Sequence, residues 1–399
     1  MSDLRTVSDH QHLVASLLAV TAAETVDLDH ARGRILAEPV TAPEALPSFD
    51  NSGMDGYAVR SADIAGASEQ HPVRLPVAAD IPAGAPVGNL APGSAHRIMT
   101  GAPVPVGADT IVEVEATDGG TDTVGIHAER EPGRFVRTAG VDVAPGTVVL
   151  SPGARLGPAQ LGLLVALGIR EVAVHARPRV LVCSTGSELA EHPEPGSGQI
   201  RDANGPLLAA AVEDAGAEAI RRLWVADEVD TFLSLLDAEL DGIDLLITSG
   251  GVSAGAYEVV KDALAPRGVT FTKVAMQPGM PQGLGTYRDV PVVCLPGNPV
   301  STLASFEVFV RPALRRAVGH PRPDRPVVRA RLTENLTCPP GKRQFRRGRL
   351  DPAAGTVAPC GPAGSGFLGW YARADCLIDL PAEVTEVHAG DLVDVWDLG

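Results

Sequence analysis

The sequence predicts a multidomain α/β protein, with a doubly wound sheet at its centre and β-rich parts on either side. Three observations predict it. Apolar runs closed by small-residue loops recur at 179–189 (RVLVCSTGSEL), 244–255 (DLLITSGGVSAG) and 291–301 (PVVCLPGNPVS). From Arg179 onward such runs alternate with helical periodicity, the pattern of a parallel sheet wrapped by helices. Finally, 399 residues exceed what one hydrophobic core usually supports.

Taken in order, Ser8 is the expected cap of a first helix carrying Val14, Leu17 and Leu18 on one face. Residues 34–60 read as loop and end in PSFDNSGMDGYAVR, dense in turn formers. Short strands are expected at 73–79, 96–100 and 110–115, giving a β-rich domain over 51–140, and 157–168 returns to helical periodicity. The α/β unit spans 177–320. Its strands are expected at 179–184, 218–225, 243–248 and 269–274, with two short ones around Thr286 and Val293. Its helices begin near Asn204, run through Phe232 and Leu240, cover 257–265, and extend from Pro299 to Val318. GHPRPDRP (319–326) reads as a linker, and 321–399 as a small C-terminal β-domain.

Composition narrows the partners. Hydrophobic residues make up 45% and the net charge is −16, which argues against duplex nucleic acid or an anionic membrane as partner. Five scattered cysteines without a CxxC pair favour a reducing cytoplasm. The N-terminus lacks the order of a signal peptide, and the most apolar window, 161–169, is too short for a bilayer. A soluble, cytoplasmic protein is expected.

No GxxxxGK[ST] loop and no HExxH occurs. The GxGxxG at 364–369 follows no strand and reads as a glycine-rich turn. His10 and His12 read as solvated surface. The informative groups are carboxylates at strand ends: Glu188 in STGSEL, Asp227 in VADE and Glu258 in SAGAYE. On a parallel sheet all three project at one edge, beside loops whose bare amides suit oxyanions. Each alone reads equally well as a helix cap or first-turn acid. Hard oxygen ligands around a phosphate would suit Mg²⁺. Asn298 and Pro299 open a helix whose free N–H groups face the same edge.

At these residues the chain resembles the molybdopterin molybdenumtransferases, the bacterial MoeA proteins and the gephyrin E-domain. FDNSGMDGYAVR, RIMTGAPVPVGAD, RTAGVDV, RPRVLVCSTGSEL, SGGVSAG and LPGNPVS carry the likeness, in family order. The resemblance implies a four-part subunit: a MogA-like α/β domain, the β-rich domain, a discontinuous helical and dimerisation domain over 1–50 and 141–176, and the C-terminal β-domain. It implies a homodimer with a shared cleft, with molybdopterin adenylyltransferase as a further partner. The implied reaction converts adenylylated molybdopterin and molybdate into molybdenum cofactor and AMP, with Mg²⁺. Matching positions assign Glu188, Asp55, Asp142 and Lys273 to catalysis. Thr100, Arg137, Asp227, Gly250, Gly251, Ser253, Glu258, Pro296, Gly297 and Asn298 fall to substrate binding, and Glu188, Asp227 and Glu258 to the metal. Departures exist. KPGKP of the family is QPGMP here, with Gln277 and Met280 for two lysines. Ser187 replaces an aspartate, and Gly369, Trp370 and Tyr371 precede Ala372 where a serine is common. A molybdopterin-binding or assembly paralogue with weak insertion activity is the alternative reading. A nucleotide pyrophosphatase is a third, and it leaves MDGYAVR unexplained.

Overall fold

The computed structural model describes residues 4–86, 88–190, 194–224, 228–252 and 258–399. At its centre lies a six-stranded sheet. Its strands are β1 (Arg179–Thr185), β2 (Glu218–Trp224), β3 (Leu245–Ser249), β4 (Val269–Lys273), β5 (Pro281–Tyr287) and β6 (Val290–Leu295). The spatial order is β2-β1-β3-β6-β5-β4. β1, β2, β3 and β6 run parallel, whereas β5 is antiparallel to both its neighbours. The expected all-parallel sheet is therefore mixed. The cause is local: Arg288 and Asp289 take φ of 48° and 65°, so two residues turn the chain from β5 into β6.

Helices cover both faces. Val180, Val182 and Ile247 pack against Leu208 and Val212 of α1 (Asn204–Asp214). Leu181, Cys183 and Leu246 pack against Phe232 and Leu236 of α2 (Val229–Asp237) and Val260 of α3 (Val259–Leu264). Successive side chains of a strand point to opposite faces, so burial on both explains the unbroken apolar runs. The helix expected from Pro299 is interrupted. It runs Pro299–Ser305, passes a π-turn at Phe306–Val310 and resumes as Arg311–Ala317. Pro312 has no N–H to return to the Val308 carbonyl, and the ladder widens around it.

The first helix is Val7–Ala15, capped by Thr6, whose side chain accepts from the Asp9 N–H at 3.1 Å. Ser8 lies inside the first turn and is not the cap. Val7 and Val14 sink into the core of the α/β unit. Strand Ala23–Asp27 pairs with Glu171–His175, and Val40–Thr41 with Val148–Leu150, so the chain leaves for the β-rich part and returns beside itself. Within that part, Gly56–Val59 was expected as loop. It is a buried strand between Thr110–Glu113 and Ala95–Ile98. A Cβ on Gly56 would lie 2.0 Å from the Val112 carbonyl oxygen, so the close pairing requires glycine.

The C-terminal strands close into a barrel, since Arg343–Asp351 pairs with both Thr356–Pro359 and Cys376–Leu380. Met276–Gln277 of the α/β unit adds to this barrel along Arg343 and Gln344. No helix among the described residues is long and apolar enough to cross a membrane.

Candidate active site

Ser184 sits beside Ser249, and Ser249 beside Leu295, so the loops after β1, β3 and β6 leave the sheet at one level. They line a cavity of about 530 Å³. Much of its wall is bare backbone. Gly250 takes φ of 99°, and a Cβ there would stand 2.6 Å from the Thr185 carbonyl oxygen. A Cβ on Gly297 would come within 3.2 Å of the Gly250 Cα. Side chains at these positions would fill the cradle.

The loop 296–298 is pinned from behind. Asn204 Nδ2 donates to the Gly297 carbonyl at 2.7 Å, and the Thr302 hydroxyl donates to the Pro296 carbonyl at 2.5 Å. Asn298 Oδ1 accepts from the Val300 N–H at 3.3 Å, so that oxygen caps the helix and only the amide nitrogen is left to face a ligand. Glu188 is exposed, and its carboxylate folds back over Gly186, within 3 Å of where a Cβ would stand. Glu258, at the start of α3, lines the same cavity, as does Asp262 one turn further on.

The cavity therefore joins amide donors to carboxylate oxygens. Among the described residues no group of three His, Cys, Asp or Glu converges as a metal cage. Three carboxylates on one cavity nevertheless suit Mg²⁺, which takes one or two of them and completes its shell with water and substrate oxygens. Asp227 and Ser253 lie outside the described residues.

Asp55, Thr100 and Arg137 lie in the β-rich part, and Asp142 lies just beyond it. The Thr100 N–H and hydroxyl donate to Asp55 Oδ1 at 2.7 and 2.8 Å, holding that carboxyl below its ordinary pKa. Arg137 lies in the two-residue strand that pairs with Asn51–Ser52, beside the turn carrying Asp55. The Asp142 N–H donates to the Leu46 carbonyl at 3.1 Å. Asp55, Thr100, Arg137 and Asp142 are all exposed, and none lines the cavity of Glu188. Exposed apolar side chains flank them in sequence: Phe49, Met99 and Val141.

Family models match nearly the whole chain: the MoeA N-terminal region (domains I and II) over 5–168, a probable molybdopterin binding domain over 181–316 and the MoeA C-terminal region (domain IV) over 329–398. Molybdopterin molybdenumtransferase 2 of Mycobacterium tuberculosis H37Rv is 55% identical over 99% of this chain and 100% of its own. The chain belongs to the molybdopterin molybdenumtransferase family. Molybdopterin molybdenumtransferase 1 of the same strain is 36% identical over 98% of each chain. A crystal structure of a MoeA protein from Pyrococcus horikoshii OT3 superposes with a TM-score of 0.83 at 28% identity, covering 99% of this chain and 100% of that one.

Against the MoeA pattern, Lys273 is exposed at the end of β4. It stands opposite Pro281, which lines the cavity, while Lys273 does not. Gln277 and Met280 are half-buried and bring no charge. Sequence reasoning missed Asp262 and Ser365. Asp262 was legible as the i+4 partner of Glu258 on one helical face. Ser365 was read as part of a plain turn, yet the barrel brings it to the cavity wall.

Proposed function

We propose that this enzyme of molybdenum cofactor biosynthesis inserts molybdenum, supplied as molybdate, into adenylylated molybdopterin and releases AMP in a Mg²⁺-dependent step. One observation carries the reading: Glu188 and Glu258 face the same cavity as the bare backbone of Gly250, Gly251 and Gly297. The amides hold phosphate oxygens of the pyrophosphate bridge, and the helix beginning at Pro299 adds its positive end. Glu188 and Glu258 would hold Mg²⁺, which when bound neutralises the bridge and the leaving AMP. Lys273 supplies a cation at the rim. Molybdate is itself an anion, so bringing it to a phosphate needs such local neutralisation.

Asp55, Thr100, Arg137 and Asp142 act, in this reading, in the cleft of a second copy of the chain. Their exposure, and the exposed apolar side chains beside them, support a homodimer with shared clefts. Cytoplasmic placement belongs to the same reading, supported by cysteines that are all unpaired. A molybdopterin adenylyltransferase would supply the substrate.

The test uses the purified chain with adenylylated molybdopterin, Mg²⁺ and molybdate, following AMP. Release above the blank that depends on both ions supports insertion. Tight pterin binding without AMP release favours a binding or assembly role, the reading to which Gln277 and Met280 lend weight. Sharing of the cleft is tested by mixing inactive Glu188→Ala and Asp55→Ala chains. After statistical exchange of equal amounts, the mixture should regain about a quarter of wild-type activity, because half of the dimers are mixed and each of those keeps one intact cleft of two. No recovery after subunit exchange would show that each chain works alone.

A further inference from the structure

We infer that the Thr185 hydroxyl donates a hydrogen bond to a phosphate oxygen of the substrate; this rests on the proposed reading of the cavity. Thr185 closes β1 and lines the cavity together with Glu188, Gly250 and Asn298. It is 4% exposed, and its Oγ1 has no hydrogen-bond partner among the described residues. The buried hydroxyls of Ser184 and Ser249 are likewise without partners, but neither residue lines the cavity.

The strand sets the direction of the side chain. Thr185 points to the same face as Cys183, which packs among Phe232 and Val260. A valine would fill that space equally well. A buried hydroxyl without a partner instead costs the fold the hydration it gave up, and only an acceptor in the cavity offsets this. The surroundings narrow what that acceptor is. A Cβ on Gly250 would stand 3.5 Å from Thr185 Oγ1, so the hydroxyl lies beside the bare backbone of the cradle. The Gly250 N–H itself donates to the Leu295 carbonyl at 3.2 Å. At this point of the wall the hydroxyl, rather than the amide, is the donor left for a ligand. Glu188 folds over Gly186 and leaves that hydroxyl unclaimed. A charged oxygen is the acceptor that gains most from such a donor.

The experiment titrates the full chain calorimetrically with inorganic pyrophosphate, comparing wild type, Thr185→Val and Thr185→Ser, and melts each free protein. Thr185→Val keeps the shape and removes the donor. It should melt at or above the wild-type temperature yet bind pyrophosphate about tenfold or more weakly, the weight of one hydrogen bond to a charged oxygen. Thr185→Ser should bind close to wild type. A hydroxyl with a purely structural role would not move stability and affinity in opposite directions. Three results overturn the inference: wild type that binds no pyrophosphate, Thr185→Val with wild-type affinity, or Thr185→Val that melts lower and loses affinity in parallel. If Thr185→Val loses affinity while wild type releases no AMP from adenylylated molybdopterin, metal insertion fails and this inference stands. AMP release by wild type, with pyrophosphate affinity unchanged in Thr185→Val, does the reverse.

Discussion

The α/β cavity and the Asp55 group are built on opposite plans. The cavity is a concave site made largely of backbone: Gly250 and Gly297 nearly touch, and Asn204 and Thr302 fix the loop behind them. The Asp55 group is exposed and made of side chains. It is wired to itself through Thr100 and stands in solvent with apolar neighbours. In the proposed reading, a site of the first kind binds an anion within one chain. One of the second kind becomes a site only when another surface covers it, because exposed charges are screened and weak.

The predictions sharpen that contrast. Glu188→Ala should lower AMP release about a thousandfold or more with an unchanged melting temperature, since its exposed side chain supports no core. Retained turnover in that variant would remove Glu188 from the chemistry. Asp55→Ala should lower turnover about a hundredfold while the affinity for AMP alone stays at wild type. A matching loss of AMP affinity would mean that Asp55 is part of the AMP-binding site itself, and the contrast would fail.

Gly250→Ala should cost about 1–3 kcal/mol of stability, from positive φ and the clash with Thr185, and should lower phosphate affinity too. Denaturant unfolding decides it, and a wild-type midpoint would mean the cradle yields easily. Gly186→Ala should act mainly on activity. The displaced atoms are the flexible end of Glu188, so activity should fall about tenfold, while the φ of 154° adds backbone strain and some loss of stability.

The smallest effect lies far from both regions. His10, expected as solvated surface, is buried instead, and that burial, with Arg5 nearby, lowers its pKa to about 3. The folded chain keeps this imidazole neutral where the unfolded chain binds a proton below about pH 6.5. The stability it leaves intact above pH 6.5 is lost as pH falls toward 3, at most about 1.4 kcal/mol per unit. His10→Phe should therefore flatten the fall in melting temperature between pH 7 and 5. An equal slope in both proteins would count against a neutral buried His10.

Much of this was legible in the residues. β1, β3 and β6 could be read because burial on both faces writes itself as unbroken apolar runs, and the loops beyond them because glycine and proline punctuate. Where reading failed, long-range contact had overruled local preference. MDGYAV carries the composition of a turn, yet Gly56 makes it a central strand through its approach to Val112, a partner invisible along the chain. Asp289 tolerates the left-handed region, but Arg288 is a poor residue for it, and the hairpin holds both at positive φ.

By itself, then, the sequence determined the order of elements, the loops that end the strands and the carboxylates within those loops. These follow from periodicity and composition, which act over a few residues. Only the tertiary structure decided that Ser365 of a distant barrel joins the cavity of Glu188, that Asn298 is partly spent as a cap, and that Asp55 stands apart. Those outcomes depend on strand order and domain docking, and nothing in a local pattern encodes how far apart two loops finish in space.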